Sequence, residues 1–196
     1  MKINEAKDII SKVLPKNRKE HSFRVAEVAL RLAKQYKLNE EEVELAALLH
    51  DYAKDHGDEE LKQWILNSSL PKNLLFYSSQ IWHGPVGALI LKQKYGIKNN
   101  NVLSAIYSHT TAKENMSPTD QIIFISDYIE PKRNIPGVDR VREIANEDLN
   151  LATYQILKNM IEYLMSEGNT IYPSTFYAYN NYAKLIRNKD GGHGFL

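Results

Sequence analysis

Apolar positions along this chain recur at intervals of three and four residues almost from end to end. Between Arg18 and Tyr36, the residues Val25, Val28, Ala29 and Leu32 fall at i, i+3, i+4 and i+7, one face of a helix. Asn39 followed by Glu42 has the form of a capping box and opens a second helix. Val43, Leu45, Ala46, Ala47, Leu48 and Leu49 make that helix apolar nearly all round, which predicts a place in the middle of the domain. It runs straight into His50 and Asp51. Shorter periodic stretches predict helices over Glu59–Leu66, Val86–Tyr95 and Val102–Ser108. Pro85 suits the first turn of the second of these, and Gly96 is placed to stop it. Ser117 and Pro118 open Thr119–Ile129, which Pro131 closes. Val138–Glu147, Leu149–Glu167 and Ser174–Arg187 complete the set, with Gly168 behind the second.

No alternating pattern of strand length appears, nor an internal repeat or linker. The expectation is an all-α fold: one helical bundle over residues 1–196, with its core at about 16–187 and a flexible end at about 188–196. The 196 residues suffice for one domain with a substantial core and are too few for two.

Composition narrows the chemistry. A net charge of +1 offers no broad basic surface for DNA or RNA, so phosphate binding must come from a few placed cations and a metal. The absence of cysteine removes disulfides, thiolate metal sites and thiol nucleophiles together, and fits a reducing, cytoplasmic compartment. No stretch approaches the ~20 apolar residues that cross a bilayer.

The informative pair is His50–Asp51. Imidazole and carboxylate are the usual ligands for iron, manganese or zinc, and two neighbours can share an ion only near a helix end, where this pair sits. Taken alone the pair also reads as a capping Asp beside a half-buried His. Asp127 lies within the apolar run Ile122–Ile129, and a buried carboxylate requires a cation, a metal or several donors. His21 begins an amphipathic helix. Two further histidines, His83 and His109, stand at predicted helix boundaries.

The ordered pattern His21, His50–Asp51, Asp127 resembles the HD superfamily of metal-dependent phosphohydrolases. That resemblance implies one divalent metal held by His21, His50, Asp51 and Asp127. His83 and His109 match the subgroup with an extended ligand set, implying either a second metal or direct phosphate contacts. The segments His50–Asp55, His83–Gly87, His109–Thr111 and Asp127–Pro131 are similar to the YqeK-type hydrolases. Those cleave diadenosine tetraphosphate symmetrically into two ADP, using iron; manganese and zinc suit the same ligands.

The resemblance gives catalytic roles to Asp51, His83 and His109. Lys54, Thr110, Asp127 and Arg133 become candidate phosphate contacts beside them, and Tyr172 with Pro173 a candidate nucleoside contact. The implied partner is a dinucleoside polyphosphate or another nucleotide, with no nucleic acid and no membrane; a homodimer stays open. Competing readings are another nucleotide phosphohydrolase, a di-iron oxygenase and a non-catalytic nucleotide-binding regulator.

Overall fold

The periodic segments become ten helices in a computed structural model that describes residues 1–189. They are α1 (Ile3–Val13), α2 (Lys16–Gln35), α3 (Glu40–Leu49), α4 (Asp58–Leu66), α5 (His83–Tyr95), α6 (Asn100–Ser108), α7 (Pro118–Ile129), α8 (Val138–Ile144), α9 (Leu149–Ser166) and α10 (Pro173–Lys189). Two 3-10 turns, at Lys72–Phe76 and Ser79–Ile81, link α4 to α5. No strand occurs among the described residues, so the all-α expectation holds.

α3 is buried because its surface carries no wide polar face. It packs against α1, α2, α6 and α7, and Val43, Ala46, Ala47, Leu48 and Leu49 are wholly shielded from water. Burying each large aliphatic side chain stabilises the fold by about 1.5–3 kcal/mol, and α3 concentrates several of them in the centre. α5 lies on α6, while α9 packs between α7 and α10.

The caps set where the central helices begin. Ser117 Oγ accepts from the Asp120 amide at 3.1 Å, and the Asp120 carboxylate accepts from the Ser117 amide at 2.8 Å, a complete capping box. That start brings Asp127 into the last turn of α7. Gly96 terminates α5 in the left-handed region at φ 66°, a conformation that costs a residue without a Cβ nothing.

Several expectations are corrected. α1 was not anticipated; Ala6 and Ile10, four residues apart, are its buried face. The Asn39–Glu42 capping box is only half formed. Asn39 accepts from the Glu42 amide at 3.1 Å, but the Glu42 carboxylate reaches away to accept from Asn99 and Asn101 at the start of α6. α8 stops at Ile144, three residues short of expectation, since Asp148 is taken by the next helix, accepting from the amides of Asn150 and Leu151. The expected flexible end is helical at residues 188 and 189, and its remainder lies outside the described residues. No helix among the described residues is long and apolar enough to cross a membrane.

Candidate metal and phosphate site

The four positions of the ordered pattern meet at one point. His21 comes from the second turn of α2, His50 and Asp51 follow the end of α3, and Asp127 lies near the end of α7. His21 Nε2 is 3.0 Å from Asp127 Oδ1 and 3.8 Å from Asp51 Oδ2, and His50 Nε2 is 3.6 Å from that same Asp51 oxygen. His50 is completely shielded, His21 and Asp51 are buried, and about a fifth of the Asp127 side chain remains accessible.

His83, the first residue of α5, and His109, just past α6, approach from the opposite side. Their Nε2 atoms are 3.0 Å apart and lie 3.2 and 3.6 Å from Asp51 Oδ1. Asp51 therefore stands between two groups, Oδ2 toward His21 and His50 and Oδ1 toward His83 and His109. Gly84 permits this approach, because a Cβ there would stand 2.9 Å from the Tyr107 carbonyl oxygen and 3.1 Å from that of Ile106.

Hydrogen bonds set the ring tautomers. His50 Nδ1 donates to the Ala47 carbonyl and His109 Nδ1 to the Ile106 carbonyl, each at 2.7 Å, so the neutral rings present an Nε2 lone pair to the site. His21 Nδ1 faces Glu130 Oε1 at 3.3 Å, with the same consequence. His83 is the reverse. The Lys54 ammonium lies 3.5 Å from its Nδ1, which makes that nitrogen the acceptor and Nε2–H a donor.

The Nε2 atoms of His21 and His50 are buried without a hydrogen-bond partner. For His21 this holds although Asp127 is 3.0 Å away: with the ring proton on Nδ1, Nε2 and the carboxylate oxygen are both acceptors and cannot bond each other. Leaving a buried polar atom unsatisfied costs about 1–3 kcal/mol. Two such atoms beside two carboxylates fit a divalent cation well. His21, His50 and Asp127 can offer one ligand atom each to an ion, and so can His50, Asp51 and His109.

The electrostatics agree. Burial is the largest influence on His50 and His83 and lowers both pKa values to about 4, so both rings are neutral. Burial works against ionising Asp51, but its contacts with His50, His109 and His83 outweigh it and hold its pKa well below the usual range. Asp127 is likewise depressed: burial opposes this, and its contacts with His21 and His50 and the positive charge of Arg133 prevail. Burial pushes His21 down, yet Asp127 and then Asp51 raise it overall. Two carboxylates stay ionised beside the neutral rings of His50 and His83, and that negative centre suits a cation.

The other expected contacts surround this centre. Lys54 Nζ donates to Gln80 Oε1 at 3.3 Å beside His83, and burial lowers its pKa. Arg133 turns back to donate to the Asp127 carbonyl at 3.0 Å and its carboxylate at 2.5 Å. Thr110 Oγ1 is buried without a partner. Tyr172 stands edge-on to Tyr77, their centroids 5.1 Å apart. Pro173 opens α10, whose Ser174 and Thr175 hydroxyls donate to the carbonyls of Ala112 and Thr111, tying this corner to the His109 loop. His56 pairs with Glu60 at 2.9 Å and packs near Tyr52.

Three residues escaped the sequence reading. Arg18, one turn before His21, has Nη1 3.8 Å from Asp51 Oδ2; the Arg18–His21 spacing of three was the available signal. With Lys16, Asn17, His21 and Arg133 it lines an open cleft of about 680 Å³. Tyr77 had no local signal. Glu130 follows Ile129 and precedes Pro131, yet it is buried and grips His21 and Arg24.

A model of the HD domain family matches residues 18–132. The chain is 37% identical over 180 residues to the symmetrical bis(5'-nucleosyl)-tetraphosphatase of Bacillus subtilis, covering 92% of this chain and 97% of that one. It is 41% identical over 184 residues to the protein of the same name from Staphylococcus aureus, covering 93% and 95%. Among solved structures, a Clostridium acetobutylicum protein described as an HD superfamily hydrolase involved in NAD metabolism superposes with a TM-score of 0.88 at 34% identity, covering 93% of this chain and 97% of that one.

Proposed function

The chain belongs to the HD domain family, and from that premise we propose that it hydrolyses dinucleoside tetraphosphates symmetrically, diadenosine tetraphosphate giving two ADP. One observation carries the reading: two buried, unpartnered imidazole nitrogens and two ionised carboxylates converge beneath a cleft rimmed by Arg18 and Arg133. In this proposal residues 1–196 act as a single unit.

His21, His50, Asp51 and Asp127 would hold one divalent metal, iron in this reading, with manganese and zinc suited to the same donors. The bound metal supplies water of lowered pKa and neutralises phosphate charge. Everything else falls to the side chains. The water oxygen adds to one of the two inner phosphorus atoms, the bond from that phosphorus to the bridging oxygen breaks, and the second ADP leaves with that oxygen. Asp51, its Oδ1 free of the other carboxylate, accepts the proton of the water. His83, with Nε2–H fixed by Lys54, serves as a phosphate donor in preference to a second-metal ligand, and His109 stands beside it.

Arg18, Lys54 and Arg133 balance the polyphosphate charge, and Thr110 has an unspent hydroxyl for a phosphate oxygen. Little covalent work is asked of the protein in phosphoryl transfer, so placing these charges is the main task. Tyr172 and Pro173 form one wall for a nucleoside, with Tyr77 at its edge.

Anaerobic purification with iron, manganese or zinc, followed by product analysis on diadenosine tetraphosphate, tests the proposal. ADP as sole product supports it. ATP with AMP, or hydrolysis confined to mononucleotides, refutes it.

A further inference from the structure

We propose that Glu130 is the positioning residue that fixes His21 as a metal ligand, held for that task by Arg24. This rests on the metal site proposed above. Pro131 disfavours helical geometry in the residue before it, and Glu130 accordingly leaves α7 at φ −53°, ψ 151°. That turn sends its carboxylate back over α2, where it is 3% exposed. Oε1 meets His21 Nδ1 at 3.3 Å; Oε2 accepts from Arg24 Nε at 2.6 Å and from the Lys132 amide at 2.9 Å.

Asp127 and Glu130, three residues apart at one helix end, thus bracket His21 on its two nitrogens, at 3.0 Å from Nε2 and 3.3 Å from Nδ1. A carboxylate can only accept, so with a cation at Nε2 Glu130 holds the ring proton on Nδ1 and leaves the Nε2 lone pair facing Asp51, Asp127 and His50. His50 and His109 receive the same orientation from neutral main-chain carbonyls. His21 alone has a charged acceptor, which makes it the more basic ligand. Arg24 and His21 share one face of α2, so a single helix carries both the ligand and the clamp on its orienting group.

The experiment reads zinc affinity by competition titration at fixed pH, with circular dichroism of the metal-free protein alongside. Glu130→Gln keeps the shape and an acceptor oxygen but loses the charge; about a 10-fold weaker zinc affinity is expected, and up to about 100-fold for Glu130→Ala. In a His21→Ala background, Glu130→Gln should weaken zinc binding no further, which separates positioning from a general loss of structure. If Glu130→Ala does not fold, Glu130→Gln and the paired background decide. Unchanged zinc affinity in Glu130→Gln, or an equal loss with and without His21, overturns the proposal. Wild-type protein that binds zinc yet cleaves no dinucleotide would remove the substrate reading alone.

Discussion

Replacing Gly84 by alanine sets a small gain against a larger loss. Alanine favours a helix over glycine by about 1 kcal/mol. Its Cβ, however, would stand 2.9 Å from the Tyr107 carbonyl oxygen, about 0.5 Å inside ordinary contact, with the Ile106 oxygen at 3.1 Å and His109 Cε1 at 3.4 Å. The first two are backbone atoms at the end of α6 and cannot rotate away, so α5 must move outward. Overpacking of this kind costs about 1–3 kcal/mol, which leaves a net loss of up to about 2 kcal/mol, or at most roughly 8 °C in Tm for a chain of this size. The displaced parts are the reacting parts: His83 precedes Gly84, and the Ile106 carbonyl is the acceptor that holds His109. A misplacement of about 1 Å can cost 100-fold in rate, so a shift of half that should lower kcat/KM about 10-fold. Steady-state kinetics on diadenosine tetraphosphate well below the measured Tm separate the two effects. Wild-type kcat/KM in a variant with lowered Tm would refute the positional part of the reasoning, and wild-type values of both would refute the packing as well.

Asp51→Ala should lower kcat by at least about 1000-fold, because one residue supplies both a metal contact and the proton acceptor; retained activity with intact metal content would remove Asp51 from the mechanism. Arg133→Lys loses the planar fork that now spans the Asp127 carbonyl and carboxylate, and should raise KM about 10-fold with little change in kcat. An unchanged KM argues against a phosphate contact. The metal-free protein should lose stability as pH falls from 6.5 to about 4, since the unfolded chain binds protons at His50 and His83 that the folded chain excludes. Each contributes a slope of about 1.4 kcal/mol per pH unit in that window. His21, raised above 6.5, stabilises the fold below that pH, and this contribution is lost as pH rises through its folded value. Urea unfolding across the range checks the sign, and a flat profile from 6.5 to 4 would contradict it.

The helices were legible wherever apolar spacing was long and punctuated. Ser117–Pro118 and Gly96 announced the ends of α7 and α5 through local backbone chemistry, which needs no tertiary partner. α1 was missed although Ala6 and Ile10 are entirely buried, because a short segment so rich in charge gains its stability from docking on α3. Glu42 shows a local motif overruled: a capping-box carboxylate left its own helix for Asn99 and Asn101, almost sixty residues away.

The order and identity of His21, His50, Asp51, His83, His109 and Asp127 were carried by the chain itself, together with an all-helical fold, since ligand chemistry and helical period are both properties of residue type and spacing. Tertiary packing alone decided which nitrogen each imidazole offers, that Asp51 stands between two pairs of rings, and that Glu130 rather than solvent faces His21. Those outcomes depend on distances between helices far apart in sequence, and no local pattern encodes a distance of that kind.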